Sequence, residues 1–282
     1  MEDNEIKKIV RDQYGKIASY SSCCSPSAEP QSSSSCCGPT ESIKEMGYTI
    51  EDIKNIPEGS NLGLGCGNPT ASADLKEGDT VLDLGSGAGI DCFLAANKVR
   101  KSGKVIGVDM TYQMLDKARE NAIKGNYENV EFRLGEIENL PVADNIVDVI
   151  ISNCVINLST DKKRVYQEAF RVLKPGGRII VSDIVLLKEL PDSIKQNMKA
   201  YAGCVAGAML KDDYLGVIKD VGFKLDEVTE QISCGTPSVA YNSETEEIIG
   251  VDKIPKEKFK KMKTITNSIP AVSIKVRAIK PN

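Results

Sequence analysis

Short apolar runs alternate with amphipathic stretches through the middle of the chain. Between residues 79 and 186 the apolar runs are typical of buried strands, and the stretches between them carry apolar side chains at helical spacing. The predicted strands are Thr80–Leu84, Lys104–Asp109, Val130–Leu134, Val147–Ser152 and Arg178–Leu186. Three helices are predicted between them: one from the end of the glycine-rich turn to about Val99, one from Thr111 to about Lys124, and one from about Asp161 to Leu173. Strands that alternate with helices indicate a doubly wound α/β sheet.

The amino-terminal region shows two further patterns. Residues 3–20 predict an amphipathic helix whose apolar side holds Ile6, Ile9, Val10, Tyr14 and Ile17. Residues 21–40 are dominated by Ser, Pro and Gly without periodicity, which predicts a mobile segment. Because this segment carries the pairs Cys23-Cys24 and Cys36-Cys37, it could deliver or collect a thiol-binding ligand.

The carboxyl-terminal part begins after a predicted sharp turn at 174–177, which has the sequence Lys-Pro-Gly-Gly. Helices are expected over 191–221 with Gly222 as a C-cap, and 223–282 indicates a smaller α+β lobe. Residues 251–282 hold nine Lys or Arg against two acidic residues, and we expect a solvated basic face on a lobe that caps the cleft. The predicted domains are therefore the helix and Cys-rich segment 1–42, the core 43–222 and the lobe 223–282.

Composition narrows the class of protein. The chain has 282 residues, 41% hydrophobic and 27% charged, which is ordinary for a globular protein. A net charge of −4 argues against a nucleic-acid partner. No run approaches the roughly 18 apolar residues of a membrane span, and the acidic start lacks the pattern of a signal peptide. We therefore expect a cytoplasmic protein without a membrane partner.

The chain has nine cysteines and no histidine. In the cytosol thiols stay reduced, so the cysteines indicate metal, metalloid or redox chemistry more than a disulfide scaffold. The absence of histidine excludes Ser-His-Asp and Cys-His mechanisms and every His-ligated metal site. Any chemistry here proceeds without an imidazole as general base.

A glycine-rich turn, Gly85-Ser86-Gly87-Ala88-Gly89, joins the first core strand to a helix. Glycines allow a tight turn and close approach of a ligand, and we expect free amides at the helix start to favour a carboxylate or phosphate. Asp83 lies two residues before the first glycine. Asp109 ends the next strand, where it can accept hydrogen bonds from both hydroxyls of a ribose.

Three cysteines lie among small or apolar neighbours. Cys154 lies two residues after the end of the predicted strand Val147–Ser152. Cys66 lies in the string Leu-Gly-Cys-Gly-Asn-Pro, and Cys204 lies in the string Tyr-Ala-Gly-Cys-Val-Ala. None belongs to a C-x-x-C pair, so classical zinc spacing is absent. Since ligands bind beyond the carboxyl ends of the strands in an open parallel sheet, we expect Cys154 to project its thiol into the cofactor cleft.

The strand, the turn and the acidic residues together resemble class I S-adenosylmethionine-dependent methyltransferases, as does the later turn that starts at Leu173. The resemblance implies a Rossmann-like fold with S-adenosylmethionine as cofactor. The methionine part would lie against Asp83 and the glycine loop, the ribose against Asp109, and the adenine near the turn at 135–141. The cofactor contacts it implies are Asp83, Gly85, Gly87, Asp109, Met110, Glu136, Ile137, Glu138 and Asn153.

The strings around the three cysteines are more specific, and they resemble the arsenite S-adenosylmethionine methyltransferase family over about residues 4–240. This resemblance implies that Cys66, Cys154 and Cys204 bind trivalent arsenic. It also implies a redox role for a cysteine nearer the amino terminus, for which Cys37 is preferred by its distance before Cys66. The implied partners are arsenite or its thiol complexes and a thiol reductant, either glutathione or the thioredoxin system, with no metal cofactor.

The chemistry suits these residues. Arsenic(III) is soft, and thiolates are the soft ligands of proteins. Three thiolates leave arsenic one lone pair, which can attack the methyl carbon of a sulfonium without loss of a proton and therefore without a general base. Methylation formally oxidises arsenic, and a nearby thiol pair that becomes a disulfide can return two electrons before cellular thiols reset it. Such an enzyme would detoxify arsenite.

Other interpretations stay open at this point. Free cysteine often packs as a small hydrophobe, which is the expected role of Cys92 and an alternative for every candidate ligand. Cys234 either lines the cleft or packs, and the amino-terminal pairs serve redox or delivery, form intermolecular disulfides or have little consequence. Tyr14 either closes over a sulfonium or packs its helix. The alternative functions are a methyltransferase for a small organic acceptor and a non-catalytic, thiol-based metalloid-binding protein.

Overall fold

The computed structural model describes residues 3–19, 46–189, 207–231, 239–242, 247–250 and 271–282. The helices in these ranges are α1 (Asp3–Ser19), α2 (Ile50–Lys54), α3 (Ile90–Val99), α4 (Tyr112–Lys124), α5 (Lys162–Val172) and α6 (Lys211–Val221). The strands are β1 (Thr80–Leu84), β2 (Lys104–Asp109), β3 (Val130–Leu134), β4 (Val147–Asn153), β5 (Leu173–Leu186), β6 (Lys224–Gln231), β7 (Val239–Asn242), β8 (Glu247–Gly250) and β9 (Ala271–Ile279).

Seven of these strands form one sheet in the order β3-β2-β1-β4-β5-β9-β6. The first five are parallel, and β9 lies antiparallel between β5 and β6. The doubly wound α/β prediction is confirmed. Strand order reverses between β1 and β4, which makes the carboxyl ends of these two strands the expected ligand site.

The core has one apolar layer on each face of the sheet. Alternate residues of a strand point to opposite faces, so Leu82 and Ile150 pack with Tyr166 on one side. Val81 and Ile151 pack with Phe93 on the other side. Because β1 and β4 are buried on both faces, their sequences are nearly continuous apolar runs, which is why their positions could be predicted.

The segment at 174–177 is not the predicted turn before a strand. Strand β5 already begins at Leu173, which pairs with Val147, and the next pairing joins Arg178 to Val149. The intervening residues form a bulge, with Gly176 at φ +73°. The bulge is held by the end of the chain, since the Gly176 amide donates to the Lys280 carbonyl at 2.9 Å.

The predicted division at residue 222 stays a prediction, and the strands before and after it share one sheet. Gly222 does end α6, in the left-handed conformation expected of a C-cap. Beyond it, β6 and β9 extend the core sheet. Their non-local pairing is invisible in local sequence patterns. Of the remainder of 223–282, the structure describes the antiparallel pair β7–β8, and the helices expected over 191–206 lie outside the described residues.

Across the described ranges, no helix combines the length and the apolar character that crossing a membrane requires.

Substitution of Ile274 tests whether β9 belongs to the core. Its side chain is 1% exposed and packs in the same cluster as Tyr166, so Ile274→Ala should lower the free energy of unfolding by about 2–5 kcal/mol. Lys275→Ala, on the other face of the same strand, should change it by less than about 1 kcal/mol. Urea unfolding measures both, and equal small effects would show that β9 does not support the core.

Candidate active site

The glycine loop occupies the carboxyl end of β1 and requires its glycines. Gly85, Gly87 and Gly89 have φ of +69°, +52° and +97°, a region that other residues rarely adopt. A Cβ on Gly85 would lie 2.3 Å from the side chain of Val155, whereas a Cβ on Gly87 would meet nothing within 4 Å. The loop therefore packs against Val155 at Gly85, whereas there is open space beside Gly87.

Four backbone amides of the glycine loop, which precedes the helix start, donate hydrogen bonds within the protein. The amides of Gly85 and Ser86 both donate to the carbonyl of Val108, at 2.8 and 3.0 Å. The Gly87 amide donates to the Asp109 carboxylate at 2.9 Å, and the Gly89 amide donates to the Ser86 carbonyl. These contacts fix the shape of the loop, so its contribution to a ligand lies in close approach more than in amide donation.

Asp109 stands at the end of β2 beside this loop. One carboxylate oxygen accepts the Gly87 amide and the other accepts the Thr111 amide at 2.8 Å. Burial raises the pKa of Asp109, and these amide bonds counteract part of the rise. Each carboxylate oxygen has a second lone pair, so both oxygens keep capacity to accept a further hydrogen bond.

Asp83 lies beneath the loop and is buried. Its carboxyl accepts a hydrogen bond from the thiol of Cys92 at 3.2 Å. Burial, followed by the charge of Asp91, raises the pKa of Asp83 well above its ordinary value. Cys92 is fully buried in the core as expected, and burial also raises the pKa of its thiol well above the usual range. Cys92 is therefore an unreactive structural thiol.

The residues assigned to the adenine side contact α1. Glu136 accepts a hydrogen bond from Lys7 at 2.6 Å, and Glu138 accepts one from Ser159 at 2.6 Å. Burial lowers the pKa of Lys7, but the hydrogen bond to Glu136 and the charge of Glu138 outweigh it and raise the value. The side chain of Ile137 is buried in the core.

Helix α1 covers this end of the sheet with its apolar side. Ile6 and Val10 are buried against a cluster that includes Tyr14, Met110 and Cys154. Tyr14 thus packs against the same apolar cluster as the implied cofactor contact and the implied arsenic ligand. Both interpretations of Tyr14 are compatible with this position.

The second part of the site is a thiol pair at the carboxyl end of β4. The Sγ atoms of Cys66 and Cys154 and a carboxylate oxygen of Asp183 all lie within 4.8 Å of one another. Neither cysteine forms a disulfide. Cys154 has φ +59°, an uncommon conformation for a residue other than glycine, and its amide donates to the Ser182 carbonyl at 2.8 Å. The Cys66 thiol donates to the same carbonyl at 3.5 Å.

Asn153 holds the Cys66 loop against β4. Its Oδ1 accepts the Cys66 amide at 3.0 Å, and its Nδ2 donates to the Gly67 carbonyl at 2.7 Å. The glycines beside Cys66 permit this approach, because a Cβ on Gly65 would lie 2.9 Å from the Asn153 amide and one on Gly67 would lie 2.8 Å from the Ser182 hydroxyl. Asn153 was implied as a cofactor contact, and the structure places its side chain on the thiol loop.

Tyr48 and Asp91 complete this network. The Asn153 Nδ2 donates to the Tyr48 hydroxyl at 3.0 Å and to Asp91 at 3.2 Å, and the Tyr48 hydroxyl donates to Asp91 at 2.8 Å. Asp91 is the second residue of α3, which starts directly after the glycine loop, so the network joins the loop of the first site to the thiol pair of the second.

Comparison with known proteins decides the family. Residues 75–222, slightly more than half of the 282 residues, match a family described as "Methyltransferase domain". The chain belongs to this methyltransferase family.

Individual relatives confirm the more specific resemblance. The arsenite methyltransferase of Halobacterium salinarum is 47% identical over 250 residues, which cover 81% of this chain and 61% of that protein. The arsenite methyltransferase of Homo sapiens is 33% identical over 233 residues, covering 79% of this chain and 59% of that protein. The structure of CrArsM, an arsenic(III) S-adenosylmethionine methyltransferase from Chlamydomonas reinhardtii, is 30% identical with a TM-score of 0.57 and covers 86% of this chain and 73% of that one. The chain thus spans about three fifths of the length of these curated relatives.

Sequence reasoning missed three residues of this candidate site, which are Tyr48, Asp91 and Asp183. Burial raises the pKa of Asp91 to about 6 and that of Asp183 to about 7, although hydrogen bonds to each carboxyl oppose the rise. The two acids did leave a signal, because each interrupts an otherwise apolar helix start or strand. Tyr48 left none, since its partners are distant in sequence. The predicted residues Cys37, Cys204 and Cys234 lie outside the described residues.

Substitution of Tyr48 tests the network that positions Cys66. Tyr48→Phe removes the donor to Asp91 and an acceptor of Asn153, which should lower the free energy of unfolding by about 1–3 kcal/mol. The Cys66 loop should loosen, so Cys66 should react faster with a bulky thiol reagent while Cys92 stays unreactive. Peptide mapping by mass spectrometry measures each thiol, with exposed Tyr112→Phe as control. Unchanged Cys66 labelling would contradict the positioning role.

Proposed function

We propose that this methyltransferase transfers methyl groups from S-adenosylmethionine to trivalent arsenic, first to arsenite and then to methylarsenite. The observation that carries the proposal is the approach of Cys66 and Cys154 at the reversal of strand order, beside the glycine loop. The arsenite methyltransferases among its relatives support the same reading. Arsenite detoxification in the cytoplasm, aided by glutathione or the thioredoxin system and without a metal cofactor, is part of this proposal.

The glycine loop suits S-adenosylmethionine. There is open space beside Gly87, and the buried hydroxyl of Ser86 has no hydrogen-bond partner among the described residues. Asp109 keeps acceptor capacity for ribose hydroxyls, and the loop leaves room for the methionine part. Glu136 and Glu138 border the adenine side. When bound, S-adenosylmethionine supplies an electrophilic methyl group on a sulfonium.

The thiol pair suits arsenic(III). Capture by each cysteine forms an arsenic–sulfur bond and breaks an arsenic–oxygen bond, and the thiol proton leaves with the hydroxide as water. Cys66 and Cys154 would hold the arsenic, with Cys204 as the third ligand and Cys37 in the redox cycle. Fixed placement of the reacting atoms can lower the barrier by roughly 7–11 kcal/mol. No general base is needed, because the arsenic lone pair attacks the methyl carbon without losing a proton.

Serine substitution of single cysteines tests this assignment. Cys154→Ser should abolish methylation of arsenite, because arsenic loses the thiolate that directly follows β4 and precedes Val155, the residue that packs on Gly85. Cys66→Ser should lose activity on arsenite but keep part of it on methylarsenite, which needs only two thiolates. Cys92→Ser should keep most activity, since a hydroxyl can still donate to Asp83.

The assay combines purified protein, S-adenosylmethionine, excess glutathione and either arsenic substrate, with chromatography and mass detection of arsenic species. A Cys154→Ser enzyme that still methylates arsenite would overturn the mechanism. Methylation of a small organic acceptor after alkylation of the thiols would favour that alternative. Tight arsenic binding without turnover would favour a binding protein.

A pair of glycine substitutions tests the cofactor position. Gly85→Ala should lower the melting temperature and abolish binding of S-adenosylhomocysteine, because its Cβ collides with Val155. Gly87→Ala has only backbone strain, of about 1–2 kcal/mol, yet should weaken binding because the new Cβ enters the space assigned to the cofactor. Thermal unfolding and calorimetric titration separate the two effects. Full affinity in Gly87→Ala would argue against this position.

A further inference from the structure

Beside the Cys66–Cys154 thiol pair lies a carboxyl group that the proposed chemistry has not used. A carboxylate oxygen of Asp183 lies within 4.8 Å of the Sγ atoms of both Cys66 and Cys154. Asp183 is fully buried near the end of β5, one residue beyond the Ser182 that pairs with Asn153 of β4. The same two strands therefore bring the carboxyl and the thiols together.

Two buried tyrosines fix the orientation of this carboxyl. Tyr214 of α6 donates to one oxygen at 3.1 Å, and the Ile184 amide donates to the other at 3.0 Å. Tyr166 of α5 donates in turn to the Tyr214 hydroxyl at 2.8 Å. Burial of a carboxyl and two hydroxyls in an apolar core is unfavourable unless all are hydrogen-bonded, and this chain satisfies them while aiming the carboxyl at the thiols.

The substrate of the proposed function carries groups that suit such a carboxyl. Arsenite has three hydroxyls, and arsenic held by two thiolates keeps one of them. Sulfur is the preferred ligand of arsenic itself, whereas a carboxylate oxygen readily accepts a hydrogen bond from a hydroxyl. We propose that Asp183 binds the hydroxyl that arsenic retains when Cys66 and Cys154 hold it, and so orients the arsenic before a third thiolate arrives.

This inference rests on the proposed function and adds a selectivity to it. The third capture forms an arsenic–sulfur bond and releases the retained hydroxide as water with the thiol proton, so no oxidant or reductant is needed. Asp183 should then matter for arsenic that bears a hydroxyl after two captures. It should not matter for a monoorganyl arsenic such as phenylarsine oxide, which two thiolates leave without any hydroxyl.

The test measures binding of both probes to the 282-residue chain reduced with a phosphine, by equilibrium dialysis with arsenic detection. The chain carries Cys204→Ser, so that arsenite bound by two thiolates keeps its hydroxyl. Asp183→Asn should weaken arsenite binding about tenfold and phenylarsine oxide binding less than twofold. Tyr214→Phe, which leaves the carboxyl in place, should shift arsenite binding less in the same direction. The exposed Asp220→Asn on α6 is the matched control, because it makes the same chemical change far from the thiols.

Equal weakening of both probes would reduce Asp183 to a structural role and overturn the inference, as would unchanged arsenite binding. Methyl transfer is assayed in parallel with the unsubstituted protein. Selective loss of arsenite binding without any methyl transfer would support the Asp183 site and defeat the proposed function alone. Methyl transfer together with an unaffected Asp183→Asn would defeat the inference alone, and binding of neither probe would overturn both.

Discussion

The amide of Asn153 is the contact on which the thiol site depends. Asn153 ends β4, and its side chain joins the Cys66 loop to Tyr48 and Asp91. In sequence, Cys66 lies 87 positions from Asn153, Tyr48 lies 105 and Asp91 lies 62. A side chain with both an acceptor and donors is required, since Oδ1 takes the Cys66 amide while Nδ2 serves the other partners. Without it, the Cys66 loop would keep its contacts to β5 and β9 but lose its tie to β4.

The same contact explains why two glycines surround Cys66. A Cβ at either neighbour would collide with Asn153 or Ser182, so the loop can approach the sheet only without side chains there. The string Gly-Cys-Gly is thus a packing requirement of the sheet end as well as a feature of the thiol. Cys154 complements it from the opposite side, with a backbone conformation that turns the chain sharply after β4.

Sequence patterns predicted the local features of this protein well. Strands β1, β2 and β3 have the expected bounds. β1 and β2 are buried runs closed by turn residues or charges, whereas β3, at the sheet edge, buries only Phe132. The glycine loop followed from spacing, and the cysteine set followed from family resemblance. The placement of β9 between β5 and β6 could not be predicted, because pairing between strands about 90 residues apart in the chain leaves no local signal. Asp183 escaped for a related reason, since its importance comes from neighbours on β4 and α6.

The charge at the site follows from where the fold buries its acids. Asp83, Asp91 and Asp109 crowd beneath the glycine loop, and burial together with mutual repulsion raises the pKa of Asp83 well above its ordinary value. Burial also raises the pKa of Asp91 and Asp109. The described loop residues supply no lysine or arginine hydrogen-bonded to these carboxyls, and a positive ligand would therefore find an environment that favours it. Because linkage is reciprocal, a bound sulfonium would in turn favour the ionised form of these carboxylates. The unfavourable burial of acids at this edge of the sheet and the affinity for a cationic cofactor are therefore two aspects of one electrostatic arrangement.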